Sequence, residues 1–391
     1  MVFARNFSIV FILLVCYSNG FKFIGWELSS GPKVVMFFSV VCFLFFVGNL
    51  RRIKYRNFIE CLMLYLVISP LITLFVKFFF YFGESLNNER MLIYMSCGFC
   101  GFYLLRHMKI TEIQLMAALC TFGLITFGIQ IYQQFNTTNI MFGLELEKAD
   151  TDVARLMRNG VIRYQIGSYF VAILCTYYSW EQLSKKFSWP MALLFMAFIT
   201  SVYFYMTRQL MVATCVTLLV SFFWIKGTRM RLWTGGLIAL IAFLLVFFSN
   251  ELFGDLIYMT QHNTYSTDIR EKALPWILAK CFDNPILFLF GHAHNLDMRS
   301  WGPRFSYWTN DVGFVGELYH YGVVWILVYF GSICKILRGY GKMIPLYVKL
   351  FFVSSLLHCV MIFPYRVEIE SFIWMLVLYV VFIRIRGEER L

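Results

Sequence analysis

Charge is what this sequence has least of. Only 14% of its 391 residues are Asp, Glu, Lys or Arg, against about 25% in a soluble globular chain. Hydrophobic residues make up 60%, and Phe alone occurs 44 times. A soluble particle of that composition has too few charges to cover its surface, so the chain must be solvated by lipid. That excludes a cytosolic enzyme, a secreted disulfide scaffold and a disordered chain. It also excludes a nucleic-acid binder, because the basic residues behind the formal charge of +12 are dispersed among helix ends and form no basic face. Signature motifs are missing as well: there is no P-loop, no G-x-G-x-x-G after a strand and no H-E-x-x-H. No internal repeat is visible, so nothing supports an inverted-repeat transporter. Ten of the eleven Cys lie inside apolar runs and only Cys281 sits in a long polar loop, which leaves no disulfide framework. The C-x-x-C of Cys97 and Cys100 is embedded in MLIYMSCGFCGFYLL and reads as core.

What is present is a series of apolar runs. A bilayer-crossing helix needs about 20 apolar residues. Twelve such runs cover about 7–26, 31–50, 57–79, 90–107, 111–135, 166–184, 188–206, 208–225, 232–250, 311–334, 344–363 and 368–384. The first is the weakest, interrupted by Asn19, Gly20 and Lys22. With the N-terminus inside, the cytoplasmic segments hold 19 of the 34 Lys and Arg but only four of the 22 acids. Every inside loop is then short and net basic, as the positive-inside rule requires. The expected fold is all-α: a polytopic integral membrane protein with about 12 transmembrane helices, 1–391 forming one transmembrane domain. Both termini are cytoplasmic.

Two loops are long, and both face outward in this topology: 136–165 and 251–310. A loop of that length in a compact protein is usually functional. The second contains DIREKALPWILAKCF, which predicts an amphipathic helix with Asp268 as N-cap and Glu271 three residues on. Pro275 should kink it or start a second short helix. Its apolar face belongs either on the membrane surface or against the bundle.

Candidate site residues collect at the outward ends. Arg208 opens the eighth run. There it faces the bundle, a cavity or the headgroups, or it snorkels as an anchor. Arg270 offers the five fixed donors that suit a diphosphate, or it is a surface charge paired with Asp268 or Glu271. Trp276 beside it suits a sugar face. His292 and His294 follow Gly291 and are either a general base or acid or plain solvated loop residues. They lack a third ligand at recognisable spacing, so no metal or other cofactor is expected. Asp311 and Glu317 enter the tenth run. Asp311 is an N-cap or a site acid, and Glu317 serves a cavity or pairs with a buried Arg. Arg366, with Glu368 and Glu370, lies in the short outer turn FPYRVEIES. Glu60, near the inner end of the third run, reads as interfacial.

With these residues in place, the chain resembles the O-antigen polymerases (the Wzy type), relatives of the O-antigen ligases within one superfamily of polytopic glycosyltransferases. The likeness covers the whole architecture and is sharpest from 207 to 322. TRQLMVAT resembles an Arg-containing span start, with Val212 where the family carries Leu. IREKALPW followed by NPILFLFG resembles an R-x5-W and N-P-L-x-G run. DVGFVGELYHYG resembles the segment that ends in a Gly at the kink of the tenth span, here Gly322. The resemblance implies that Arg208 and Arg270 bind an undecaprenyl diphosphate. The ligases carry a catalytic His eleven residues before that Gly. This chain has Asp311 there, which favours a polymerase and leaves the base among Asp311, His292 and His294. The implied partners are an undecaprenyl-diphosphate-linked oligosaccharide, membrane lipid and a chain-length regulator protein. The implied place is a bacterial inner membrane with the site facing the periplasm. The rival readings are an O-antigen ligase acting on lipid A-core and a lipid-linked oligosaccharide flippase or other transporter. A transporter would set its charges near the midplane.

Overall fold

Where lipid replaces water, every backbone N–H and C=O must bond within the protein, which leaves helices as the economical answer for long apolar runs. The computed structural model describes residues 2–17, 31–53, 57–80, 90–135, 157–158, 161–162, 169–205, 208–225, 235–236, 274–293, 312–359 and 368–388. Within these the chain is helical apart from its connections and a two-residue antiparallel pair, β1 (Met157–Arg158) with β2 (Val161–Ile162).

The helices are α1 (Val2–Tyr17), α2 (Gly31–Asn49), α3 (Phe58–Phe80), α4 (Arg90–Met108), α5 (Glu112–Phe135), α6 (Tyr169–Lys185), α7 (Trp189–Phe204) and α8 (Arg208–Ser221). They continue with α9 (274–282), α10 (Pro285–Phe290), α11 (Phe314–Gly339), α12 (Leu346–His358) and α13 (Glu368–Glu388). Eleven of the twelve apolar runs carry one of these helices. The run 232–250 falls almost wholly outside the described residues. Of the first run, 7–17 lies in α1, which begins at Val2, and 18–26 lies outside the described residues. Among the described residues α3, α5 and α11 are long and apolar enough to cross a membrane by length and composition. The helical stretches Val2–Tyr17, Val34–Asn49, Trp189–Phe204, Gln209–Ser221 and Leu346–His358 are shorter but also apolar.

The chain divides into two compact units. The first comprises 1–31, 113–264 and 345–354. Its helices are joined by buried polar pairs. Asn6 Nδ2 donates to Gln114 Oε1 at 3.2 Å between α1 and α5, and Ser201 Oγ donates to Gln130 Oε1 at 2.6 Å between α7 and α5. Trp180 Nε1 of α6 donates to Ser221 Oγ of α8 at 2.8 Å. Glu181 accepts from the Tyr347 backbone N–H at 2.7 Å and pairs with Lys185 at 2.6 Å. Such bonds are the usual adhesive between apolar helices, where lipid tails remove any hydrophobic drive to associate.

The second unit comprises 32–112, 265–344 and 355–391. α3 and α13 both pack on α4. α13 is almost entirely buried from Phe372 to Phe382, with Trp374 and Tyr329 in aromatic contact at 5.5 Å. Glu60 stands in the first turn of α3. It is buried and paired with Arg106 of α4 at 3.1 Å, because a carboxylate on the packed face of an apolar helix needs a counter-charge. The candidate site lies in this unit.

Candidate functional site

The site is built from the run NPILFLFGHA. Asn284 caps α10: its Oδ1 accepts from the Ile286 and Leu287 N–H groups at 2.9 and 3.4 Å. Pro285 follows at the first turn, where its missing N–H costs nothing. The helix lasts six residues and stops at Gly291, whose φ of 86° and ψ of 168° only glycine adopts without strain. The N-P and the G of the motif are thus a start signal and a stop signal.

Residues 291–293 then run beside a break in α11. Gly322 has φ 81° and ψ 171° inside that helix, the kink anticipated at this glycine. In an unbroken helix the carbonyls of Tyr319 and His320 would accept from residues 323 and 324. Here they accept from the His292 and Ala293 N–H groups at 2.7 and 2.9 Å. The two glycines face each other's backbone. A Cβ on Gly291 would lie 2.1 Å from the His320 carbonyl oxygen, and one on Gly322 would lie 2.2 Å from that of Leu289. Neither position has room for any side chain. Thr73 of α3 completes the clasp by donating its hydroxyl to the Phe290 carbonyl at 2.9 Å.

Side chains gather around this backbone clasp. His320 Nδ1 lies 2.9 Å from the Ala293 carbonyl oxygen. A carbonyl only accepts, so a hydrogen sits on Nδ1. His292 stacks flat on Tyr319, with ring centres 4.2 Å apart and planes 5° apart. His292 is buried, not solvated, and that burial pushes its imidazole down to about 4 against smaller pulls from the Lys280 backbone and Asp283. It is neutral at pH 7. Glu317, one turn before His320 on the first half of α11, is 1% exposed.

The predicted amphipathic helix is present in its described part, α9, and its apolar face lies on protein. Ile277 and Cys281, one turn apart, pack on Val315 and Tyr319, also one turn apart on α11. Trp276 sits at the edge of this cluster, 6.5 Å from Tyr319, with Lys280 Nζ 5.7 Å above its ring. Cys281 is therefore a core residue. Burial raises its thiol to about 12, which leaves no thiolate for redox chemistry. Among the described residues no three His, Cys, Asp or Glu side chains group as a metal site.

No family model, curated protein or solved structure matches the chain. Of the residues singled out from sequence, His292 and Trp276 come together on Tyr319, and Glu317 is buried on the same helix, α11. Arg208 is the first residue of α8, with its side chain outside the described residues. Arg270, His294, Asp311 and Arg366 also lie outside them. Asp311 is not the cap of α11: Gly313 holds that position, with φ 59° and no side-chain bond.

Two buried residues of this unit escaped the sequence reading. One is His320, hidden in the apolar Y-H-Y-G that precedes the kink. The other is Lys77, one helical turn beyond Thr73 on α3 and 2% exposed. A Lys inside LFVKFFF is itself a signal, because a cation in so apolar a stretch is rarely there without a task.

Proposed function

We propose that the chain is a membrane glycosyltransferase of the O-antigen polymerase type. In this reading twelve helices cross a bacterial inner membrane with both termini in the cytoplasm, and the clasp of α10 on α11 faces the periplasm. The supporting observation is the clasp itself. It holds residues 291–293 against a broken apolar helix, with His292 stacked on Tyr319 and His320 bonded to Ala293, and Glu317 is buried one turn before His320. Residues of this kind within apolar helices are costly unless they serve a site.

The donor is a glycan on undecaprenyl diphosphate, and the acceptor is a hydroxyl of the next lipid-linked unit. The hydroxyl oxygen attacks the anomeric carbon. The bond from that carbon to the diphosphate oxygen breaks, and its electron pair leaves with the diphosphate. The hydroxyl proton passes to a base. Arg208, Arg270 and Arg366 neutralise the charge growing on the leaving group, and Trp276 stacks on sugar. The base is drawn from Asp311, His292, His294 and Glu317. His320 joins that set because its Nδ1–H is committed to the Ala293 carbonyl, so that in the neutral ring Nε2 is the accepting nitrogen. With its imidazole held at about 4, His292 is a weaker base than an ordinary histidine. Because the diphosphate bond already carries the driving force, the step calls for no nucleotide.

Deletion of the gene followed by gel analysis of lipopolysaccharide tests this reading. A polymerase mutant leaves a single repeat unit on the lipid A-core. Loss of every unit from the core would point instead to a ligase or a flippase and overturn the assignment. Arg270→Ala should collapse long chains to the single unit at unchanged protein level. Full-length polymer from that variant would return Arg270 to the role of a surface charge.

A further inference from the structure

Far from the clasp, the ends of α2 and α4 frame a groove of about 330 Å³ lined by Leu44, Phe45, Gly48, Asn49 and His107. Its walls are of two kinds. Leu44, with Phe43 and Val47 beside it, is exposed, which makes this flank of α2 an apolar strip. Gly48 leaves it open, since a Cβ there would meet nothing within 4 Å. The other end is polar. Asn49 spends one amide hydrogen on the Phe45 carbonyl at 2.8 Å, and the exposed His107 ring stands 5.1 Å from that of Phe45. Two residues beyond each polar wall stands an exposed cation: Arg51 after Asn49 and Lys109 after His107. Arg106, between them in sequence, is already paired with Glu60.

Both helices end beside this groove, and a helix C-terminus on its own disfavours an anion. Two full cations outweigh two half-charges, and the balance at the mouth is positive. An apolar slot that runs into a basic rim at the end of membrane helices matches one chemistry: a phosphodiester headgroup joined to an acyl chain. We propose that this groove seats an anionic phospholipid, its phosphate held by Arg51, Lys109 and the His107 ring, with one acyl chain laid along Leu44 and Val47. The seat is independent of the glycosyltransferase reading and shares no residue with the clasp.

The test uses the full chain in nanodiscs of equal phosphatidylcholine and phosphatidylglycerol. The lipids that remain bound are counted by native mass spectrometry after release. Phosphatidylglycerol should be retained at least tenfold over phosphatidylcholine. Arg51→Ala/Lys109→Ala should erase that preference, because each basic residue near an anionic surface contributes about a fivefold factor. Gly48→Leu should lower retention of both lipids by filling the slot, and Leu44→Trp does the same from the other wall if the first variant elutes as aggregate. Equal retention of the two lipids by the native chain would overturn the proposal, as would unchanged phosphatidylglycerol retention in the double variant. Displacement of the lipid by millimolar inorganic phosphate would also overturn it, since an ion site would then account for the binding without the groove.

Discussion

The second unit is tied together in different ways at the two ends of α3. At the N-terminal end the ties are made by side chains. Glu60 meets Arg106 at 3.1 Å, Arg384 meets Glu112 at 2.6 Å, Lys335 stands 4.0 Å over Phe58, and the Tyr379 hydroxyl reaches the Leu105 and Ile110 carbonyls at 3.0 and 2.9 Å. At the C-terminal end the central ties are backbone to backbone: two N–H groups on the carbonyls of a broken helix, with a glycine on either side. A long side chain can swing to follow a displaced partner. A backbone bond with no Cβ to spare cannot. The first end tolerates drift between helices, whereas the second leaves α10 and α11 little freedom to shift.

The sharpest way to break the comparison is at the glycines. Gly322→Ala and Gly291→Ala each place a methyl carbon within about 2.2 Å of a backbone carbonyl oxygen and force a side chain into positive φ. Each should cost about 4 kcal/mol or more, at the extreme of single substitutions. Thermal melting in detergent should show the loss, with Gly331→Ala, where the added atom meets nothing, as the unaffected control. A normal melt for both clasp variants would mean that the clasp is not a fixed element.

At the other end the effect should be smaller and, unlike the first, reversible. Arg106→Met strands the Glu60 carboxylate in a buried position and should cost about 3 kcal/mol. Adding Glu60→Leu should recover most of that, because two apolar residues replace a buried pair at little net cost. If the double variant melts no higher than the single one, the pair is more than a local tie.

Protonation offers a milder probe of the clasp. The His292 imidazole is held at about 4 in the folded chain and titrates near 6.5 when unfolded. Between those values the unfolded chain binds more protons, so stability is full above pH 6.5 and falls as the pH drops toward 4. The loss should be about 2 kcal/mol by pH 5. His292→Phe keeps the stacked ring on Tyr319 and removes the proton site, so its melting temperature should fall less between pH 7 and pH 5 than that of the native chain. Parallel pH curves for the two would show that His292 is solvated after all.

Much of this architecture was legible in the sequence because apolar run length maps directly onto helices in lipid. Windows such as 57–79 and 111–135 recur almost to the residue as α3 and α5. Of the run at 7–26, residues 7–17 lie in α1, which begins earlier, at Val2. At the site, Asn284, Pro285, Gly291 and Gly322 could be read because backbone geometry dictates those residue types locally. Burial could not. Cys281 and His292 look solvated in a polar loop, since the faces that cover them belong to Tyr319 and Val315, some 30 residues away. Thr73 reaches Phe290 across 217 positions, and no local pattern announces such a pairing. His320 was passed over because a His flanked by two Tyr in an apolar run looks like packing until Ala293 is seen to hold its ring.

The clasp also has a consequence for how this chain could diversify. The segment 294–311 leaves from Ala293, bonded to His320, and returns to Phe314, whose N–H is bonded to the Cys359 carbonyl at 2.8 Å. Both of its anchorage points are thus set by contacts that it does not supply. Closing a longer segment between fixed anchors costs only about 0.6 kcal/mol per doubling of length. A change of length between 294 and 311 therefore adds little closure cost to the frame of α10 and α11. The frame that positions Ala293 and Phe314 is thus specified apart from the chain that joins them.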